Sequence, residues 1–135
     1  MRIIAIDRDE GGAVSLQSGD IVLRAMDCLG YVSEPYPEVG DTIDVEFSCL
    51  HGEEQAWEQI FGSNPDRLRQ LVPTGLWSYQ AFGEIVSLGD SGDEPQVACG
   101  VVELPLPVRT SDPRCLGEFV SFSVARLDAW RKRGA

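Results

Sequence analysis

An α+β fold made mainly of antiparallel β-structure is predicted by three features of this 135-residue chain. Short β-branched or alternating segments recur along most of its length. Turn signals rich in glycine, proline and aspartate separate them. Two helical patterns interrupt the series once, near the middle. Together these imply a small sheet or a partly open barrel with two short helices inserted mid-chain, compatible with an OB-like arrangement.

The elements follow in order. Ile3 to Asp7 is short and β-branched, and Asp9-Glu10-Gly11-Gly12 is a hairpin turn signal. Ala13 to Gln17 reads as the returning strand. After Gly19-Asp20, Ile21 to Leu29 is apolar on both parities except for Arg24 and Asp27, which predicts a largely buried third strand. Ser33 to Glu38 carries two prolines, which remove backbone donors and fix φ, so it is predicted extended and unpaired. From Thr42 to Cys49 the alternation is clean. Ile43, Val45, Phe47 and Cys49 share one face, and Thr42, Asp44, Glu46 and Ser48 share the other. This is the pattern of a half-buried strand with an acidic outer face.

A first helix is expected over about 53–61, with Ala56, Trp57, Ile60 and Phe61 on one face and Gly62 as its stop. Asn64-Pro65 then provides a cap and a first-turn proline for a second helix, with Leu68, Leu71 and Val72 on its apolar face. Strand returns over Leu76 to Leu88, with a break of phase at Phe82-Gly83 that predicts a bulge or bend. Gln96 to Leu104 is apolar on both faces, as in a central strand. Pro105 to Leu116 holds three prolines and reads as a long irregular loop, and Glu118 to Leu127 as the last strand, with Trp130 anchoring the end. No repeat or linker divides the chain. Residues 1–130 are therefore expected as one domain, with 131–135 a basic tail.

The net charge of −11, from 22 acids and 11 bases, disfavours nucleic acid and anionic membrane as partners, since both are bound through cations. It favours a basic protein, through faster encounter and a complementary surface. Only four consecutive apolar residues, Ile3 to Ile6, precede Asp7, too few for a secretory signal, and no apolar run approaches a membrane span. A cytoplasmic protein of bacterial type is expected. In that reducing setting Cys28, Cys49, Cys99 and Cys115 are expected as free, buried, small apolar residues.

No motif in the chain carries a reaction. Cys49 and His51 are the one Cys–His proximity, and His51 is the sole histidine. A Cys nucleophile would need that imidazole, but Cys49 also continues the buried series Ile43-Val45-Phe47, which is the expected role. The cysteine spacings of 21, 50 and 16 lack the tight pair of a structural zinc site. Asp7-x-Asp9-x-Gly11 lacks the later ligands of a calcium loop. No catalytic residue, metal or cofactor is assigned.

Acidity is the remaining signal. From Asp9 to Asp66 there are thirteen acids and one base, Arg24. Asp9, Glu10, Asp20 and Asp41 fall in expected turns, and Glu53, Glu54 and Asp66 in the first turns of expected helices. Asp27, Glu34, Glu38, Asp44, Glu46 and Glu58 are left without a local reason. With Tyr36, an aromatic with a polar tip in the proline-rich loop, they form the expected partner-binding set. The class this suggests is a protein-binding domain of the immunity type, which neutralises a basic toxin or effector. The alternatives are a small β-barrel binding a small ligand or an oligonucleotide, served by the C-terminal bases from Arg109 onward, and an enzyme using Cys49 and His51.

Overall fold

The computed structural model describes residues 1–7, 12–31, 35–88 and 94–132. Strands β1 (Arg2–Asp7), β2 (Ala13–Ser18) and β3 (Ile21–Asp27) form an antiparallel meander. The first turn, residues 8–11, lies outside the described residues. Gly19 closes the second turn at φ 59°, a conformation that favours glycine. A 3-10 turn, Leu29–Tyr31, follows β3, and β4 (Val45–Leu50) follows the proline-bearing segment.

The final strand, β10 (Arg126–Arg131), completes this sheet by lying between β3 and β4. It runs parallel to β3 and antiparallel to β4. The sheet order is β1-β2-β3-β10-β4. Its two ends then meet. Ile3 N–H donates to the Asp41 carbonyl at 2.9 Å, Gly40 N–H to the Ile3 carbonyl at 2.8 Å, and Ile43 N–H to the Met1 carbonyl at 2.9 Å. The chain just before β4 therefore pairs with the free edge of β1, and the sheet curls round on itself.

The second sheet is built from the long insertion between β4 and β10. Its strands are β5 (Gln70–Pro73), β6 (Tyr79–Ser87), β7 (Gln96–Ala98), β8 (Glu103–Pro105) and β9 (Phe119–Val124). β6 is the axis, with β9 along one edge and β5 then β7 along the other. At Ala125 the chain passes from β9 in this sheet to β10 in the first. The inner faces supply one core, which includes Ile3, Leu16, Leu23, Ile85, Leu104, Phe122 and Leu127. Tyr79 ties the layers together. Its hydroxyl accepts the Arg24 N–H at 2.8 Å and donates to the Arg24 carbonyl at 2.7 Å.

Six sequence expectations are corrected. The first helix is only α1 (Trp57–Phe61). The second is absent. Asn64 does not cap a helix; it is buried, and its amide accepts from Leu68 N–H and donates to the carbonyls of Leu68 and Val120. Arg67 beside it takes φ 55°, which ends any helix there, and Gln70–Pro73 pairs with β6 as a strand. The apolar run 96–104 is a hairpin, because Gly100 at φ 88° turns the chain between β7 and β8. The expected last strand is two strands in different sheets.

β6 keeps phase through Gly83. Tyr79, Ala81, Gly83 and Ile85 are all buried, and a Cβ on Gly83 would lie 2.3 Å from the Ala98 carbonyl oxygen. The glycine allows close approach of a neighbouring strand rather than a bend. Finally, Arg131 is not tail: it pairs with Val45 at the end of β10, and its guanidinium donates to the Pro35 carbonyl at 2.9 Å. Trp130 also belongs to β10, half on the surface, with its indole N–H donating to the Ser48 hydroxyl at 2.8 Å.

Candidate partner-binding surface

β4 keeps the alternation read from its sequence. Val45, Phe47 and Cys49 pack against the core, while Asp44 and Glu46 are exposed. On the opposite side of a groove of about 520 Å³ lies Glu103 at the start of β8. Met1, Val45, Phe47, Val101 and Val102 complete its walls. Among the described residues, none of these three carboxylates is in an ion pair. Glu103 was not expected here. The hairpin at Gly100 brings it alongside a strand more than fifty residues earlier, and the signal for it in the sequence is the glycine inside the apolar run 96–104.

The other expected residues divide. Asp27 has a structural task, since it accepts the Leu29 N–H at 3.0 Å and a short hydrogen bond from the Tyr36 hydroxyl. Tyr36 is thereby held over Gly30, and both residues serve the loop that follows the 3-10 turn. Glu38 is exposed, in a turn where its own N–H bonds the Asp41 carboxylate at 2.9 Å. Glu58 is exposed on α1, beside Trp57, whose ring stacks on Phe61 at 5.0 Å. Glu34 lies outside the described residues. Glu53 and Glu54 precede α1 rather than starting it, so the helix dipole does not account for them.

Glu53 and Glu54 instead border a second cleft of about 740 Å³, together with His51, Gln55 and Gln59. Its floor is a ladder of amides and hydroxyls on the outer face of the second sheet. Gln80 donates to the Ser121 hydroxyl at 2.7 Å and accepts from Ser123 at 3.2 Å. Gln55 satisfies the free edge of β9, accepting the Ser123 N–H at 2.7 Å and donating to its carbonyl at 3.1 Å. A side chain here takes the place of a neighbouring strand, one way of protecting a sheet edge.

The fold does bring Cys49 and His51 together, at 3.5 Å between Sγ and Nε2. The chemistry of the pair is nevertheless wrong for a nucleophile. Burial, and then the charge of Asp128, push the Cys49 thiol up to about 12. His51 Nε2 also lies 2.8 Å from the Pro105 carbonyl, which can only accept, so that nitrogen carries the proton. It has no lone pair to take a proton from sulfur. All four cysteines are free, and Cys28 and Cys99 are buried. Among the described residues, no group of three or more His, Cys, Asp or Glu side chains is placed to hold a metal ion. No described helix is long and apolar enough to cross a membrane.

No protein-family model matches the chain, and comparison with curated proteins and with solved structures finds no similar one.

Proposed function

We propose that this chain is an acidic protein-binding domain that covers and neutralises a basic protein partner, as an immunity-type inhibitor covers a bacterial toxin or effector in the cytoplasm. One observation carries the reading. Asp44, Glu46 and Glu103 converge on a single groove without a compensating cation among the described residues, in a chain of net charge −11. Uncompensated carboxylates repel one another and contribute nothing to folding. The same field draws in a cationic surface and speeds its docking.

The test is kinetic. A partner isolated from the native host should be basic, and its association should slow at least tenfold between about 50 and 300 mM salt. The D44K/E46K double variant should slow association by about tenfold more at low salt while leaving thermal unfolding within a few degrees, since both positions are exposed. An acidic partner, or an association rate indifferent to salt, sinks the reading.

A second reading, a small barrel that binds a ligand or an oligonucleotide, is favoured by the strand order. A meander β1-β2-β3, a last strand parallel to β3, and closure of the chain before β4 onto β1 are what an OB-like arrangement requires. Its interior is packed with Val14, Leu16, Leu23 and Leu127, so a ligand would have to sit in the outer cleft floored by Gln80 and Ser121. Glu53 and Glu54 at that rim repel phosphate. Titration with short oligonucleotides at low salt should therefore give no change in tryptophan fluorescence, and saturable quenching would promote this reading over the first.

A further inference from the structure

The cleft on the outer face of the second sheet is lined mainly by uncharged hydrogen-bonding side chains. β6 and β9 form its floor. One wall is the segment from His51 to Gln59, and the other is the turn between Thr74 and Ser78. Its volume of about 740 Å³ lies within the range of small-molecule sites, about 300–1,000 Å³. Most such sites are lined by apolar and aromatic groups. Here the amides and hydroxyls of Gln59, Gln80, Ser78 and Ser121 take their place, with Val124 and Ala125 adding apolar surface.

These side chains hold one another in position and keep hydrogen-bonding capacity. A hydroxyl has one proton to donate and a side-chain amide has two. The Gln80 amide lies between two hydroxyls, donating to Ser121 at 2.7 Å and accepting from Ser123 at 3.2 Å. Whichever way that amide is turned, one hydroxyl proton is left over, and in this arrangement it is that of Ser121. Ser121 is 2 % exposed, and the space it borders is the cleft. Thr74 and Ser78 share one bond of 3.0 Å between their hydroxyls, so a proton is spare there too. Gly75 makes room for the Ser78 hydroxyl, since a Cβ at that position would lie 2.5 Å from it. The Gln59 oxygen accepts the Ala56 N–H at 3.0 Å, and its nitrogen has no acceptor among the described residues. Facing these donors are the exposed carboxylates of Glu53 and Glu54, acceptors in no ion pair among the described residues.

Donors on the floor and acceptors at the rim select the ligand. Phosphates and carboxylates are repelled by Glu53 and Glu54. A cation suits those two residues but gives the Ser121, Ser78 and Gln59 protons nothing to bond, and an apolar ligand strands every polar group. We propose that the cleft binds a short neutral saccharide. Its hydroxyls donate to Glu53 and Glu54 and accept from Gln59, Ser78, Gln80 and Ser121, while its ring C–H groups lie against Ala125. The assignment does not rest on the basic-partner reading, whose carboxylates Asp44, Glu46 and Glu103 line the other groove.

The probes are cellotetraose, maltotetraose and tetra-N-acetylchitotetraose, each titrated into the isotope-labelled full chain. NMR follows the side-chain amide signals of Gln59 and Gln80. At least one saccharide should shift both signals saturably, with a dissociation constant at or below about 1 mM. Gly75→Ala should weaken that binding about tenfold, because its methyl displaces the Ser78 hydroxyl while every polar group of the cleft is kept. Should that variant disturb the turn, Ser78→Ala removes the hydroxyl alone and should give the same loss. No saturable shift with any of the three saccharides, or equal binding by the parent and both variants, overturns the assignment. Argininamide is the counter-probe. If it shifts the Gln59 and Gln80 signals and the saccharides do not, the cleft takes cations and the saccharide assignment falls. The D44K/E46K variant should bind the saccharide as the parent does, so the basic-partner reading can fail with this site intact. Loss of saccharide binding in that variant places the site elsewhere and likewise overturns the assignment.

Discussion

Phe122→Ala should cost about 4 kcal/mol of stability, in the range measured for emptying an aromatic site in a tight core. Phe122 is 1 % exposed and lies on β9 opposite Ala81 of β6. Its ring meets the edge of His51 at 5.7 Å, so it also packs against the segment that leaves β4. A cavity there borders both the second sheet and the chain leading from the first. The neighbours best placed to relax inward are on strands held by ladder pairing, and Ala81 is too small to reach. Collapse is therefore incomplete and the full cavity penalty applies. Urea unfolding should show the loss as a lower midpoint with an unchanged slope. Phe122→Leu, which keeps most of the volume, should cost only about 1 kcal/mol. A Phe122→Ala loss below about 1 kcal/mol would show that the two layers do not share this core.

Much of the β-structure was legible in the sequence because one buried face imposes alternation. The 42–49 segment shows this best, and its acidic face is where the structure puts it. Errors arose where a local pattern had two solutions. Leu68, Leu71 and Val72 fit a helix face, but the buried Asn64 amide holds the chain in a turn and releases Gln70–Pro73 to pair with β6. That outcome is decided by Val120 and β6, which no window around residue 64 contains. The run 96–104 likewise looked continuous, since both strands of a buried hairpin are apolar. At Gly83 the alternation breaks in the sequence because a glycine has no side chain to mark its face; its burial comes from the Ala98 backbone lying against it.

The acidic residues divide for related reasons. Leu29 and Tyr36 account for the Asp27 carboxylate. Glu53 and Glu54 have no helix dipole to account for them, because α1 starts only at Trp57. Glu103 could enter only through tertiary structure. Asp44 and Glu46 survived because a strand face is a local property. The firmest part of the candidate surface is thus the part set by period-two alternation, and the part it gained is the wall supplied by a distant hairpin.

Raising the pH from about 8 to about 10.5 should remove about 4 kcal/mol of stability through two thiols. Burial first, and then the charge of Asp128, push Cys49 up to about 12; burial, and then Cys49 itself, push Cys99 up to about 12. In the unfolded chain both titrate near 9.0. Between those values the folded protein keeps its thiol protons while the unfolded chain has lost them. The unfolded state then binds fewer protons, so the free energy of unfolding falls as pH rises. The contribution is intact below pH 9 and is lost steadily until about 12. Each thiol removes about 1.4 kcal/mol per pH unit in that window, so two of them over about 1.5 units give the stated loss. Tyr79, also raised by burial, acts in the same direction. Urea unfolding at the two pH values measures the drop. The Cys49→Ala/Cys99→Ala double variant should be less stable at pH 8 but should lose much less on going to pH 10.5. If the double variant falls as far as the parent, the thiols are not responsible. If the parent does not fall at all, Cys49 ionises freely in the folded state, and a thiolate 3.5 Å from His51 would reopen the case for a nucleophile.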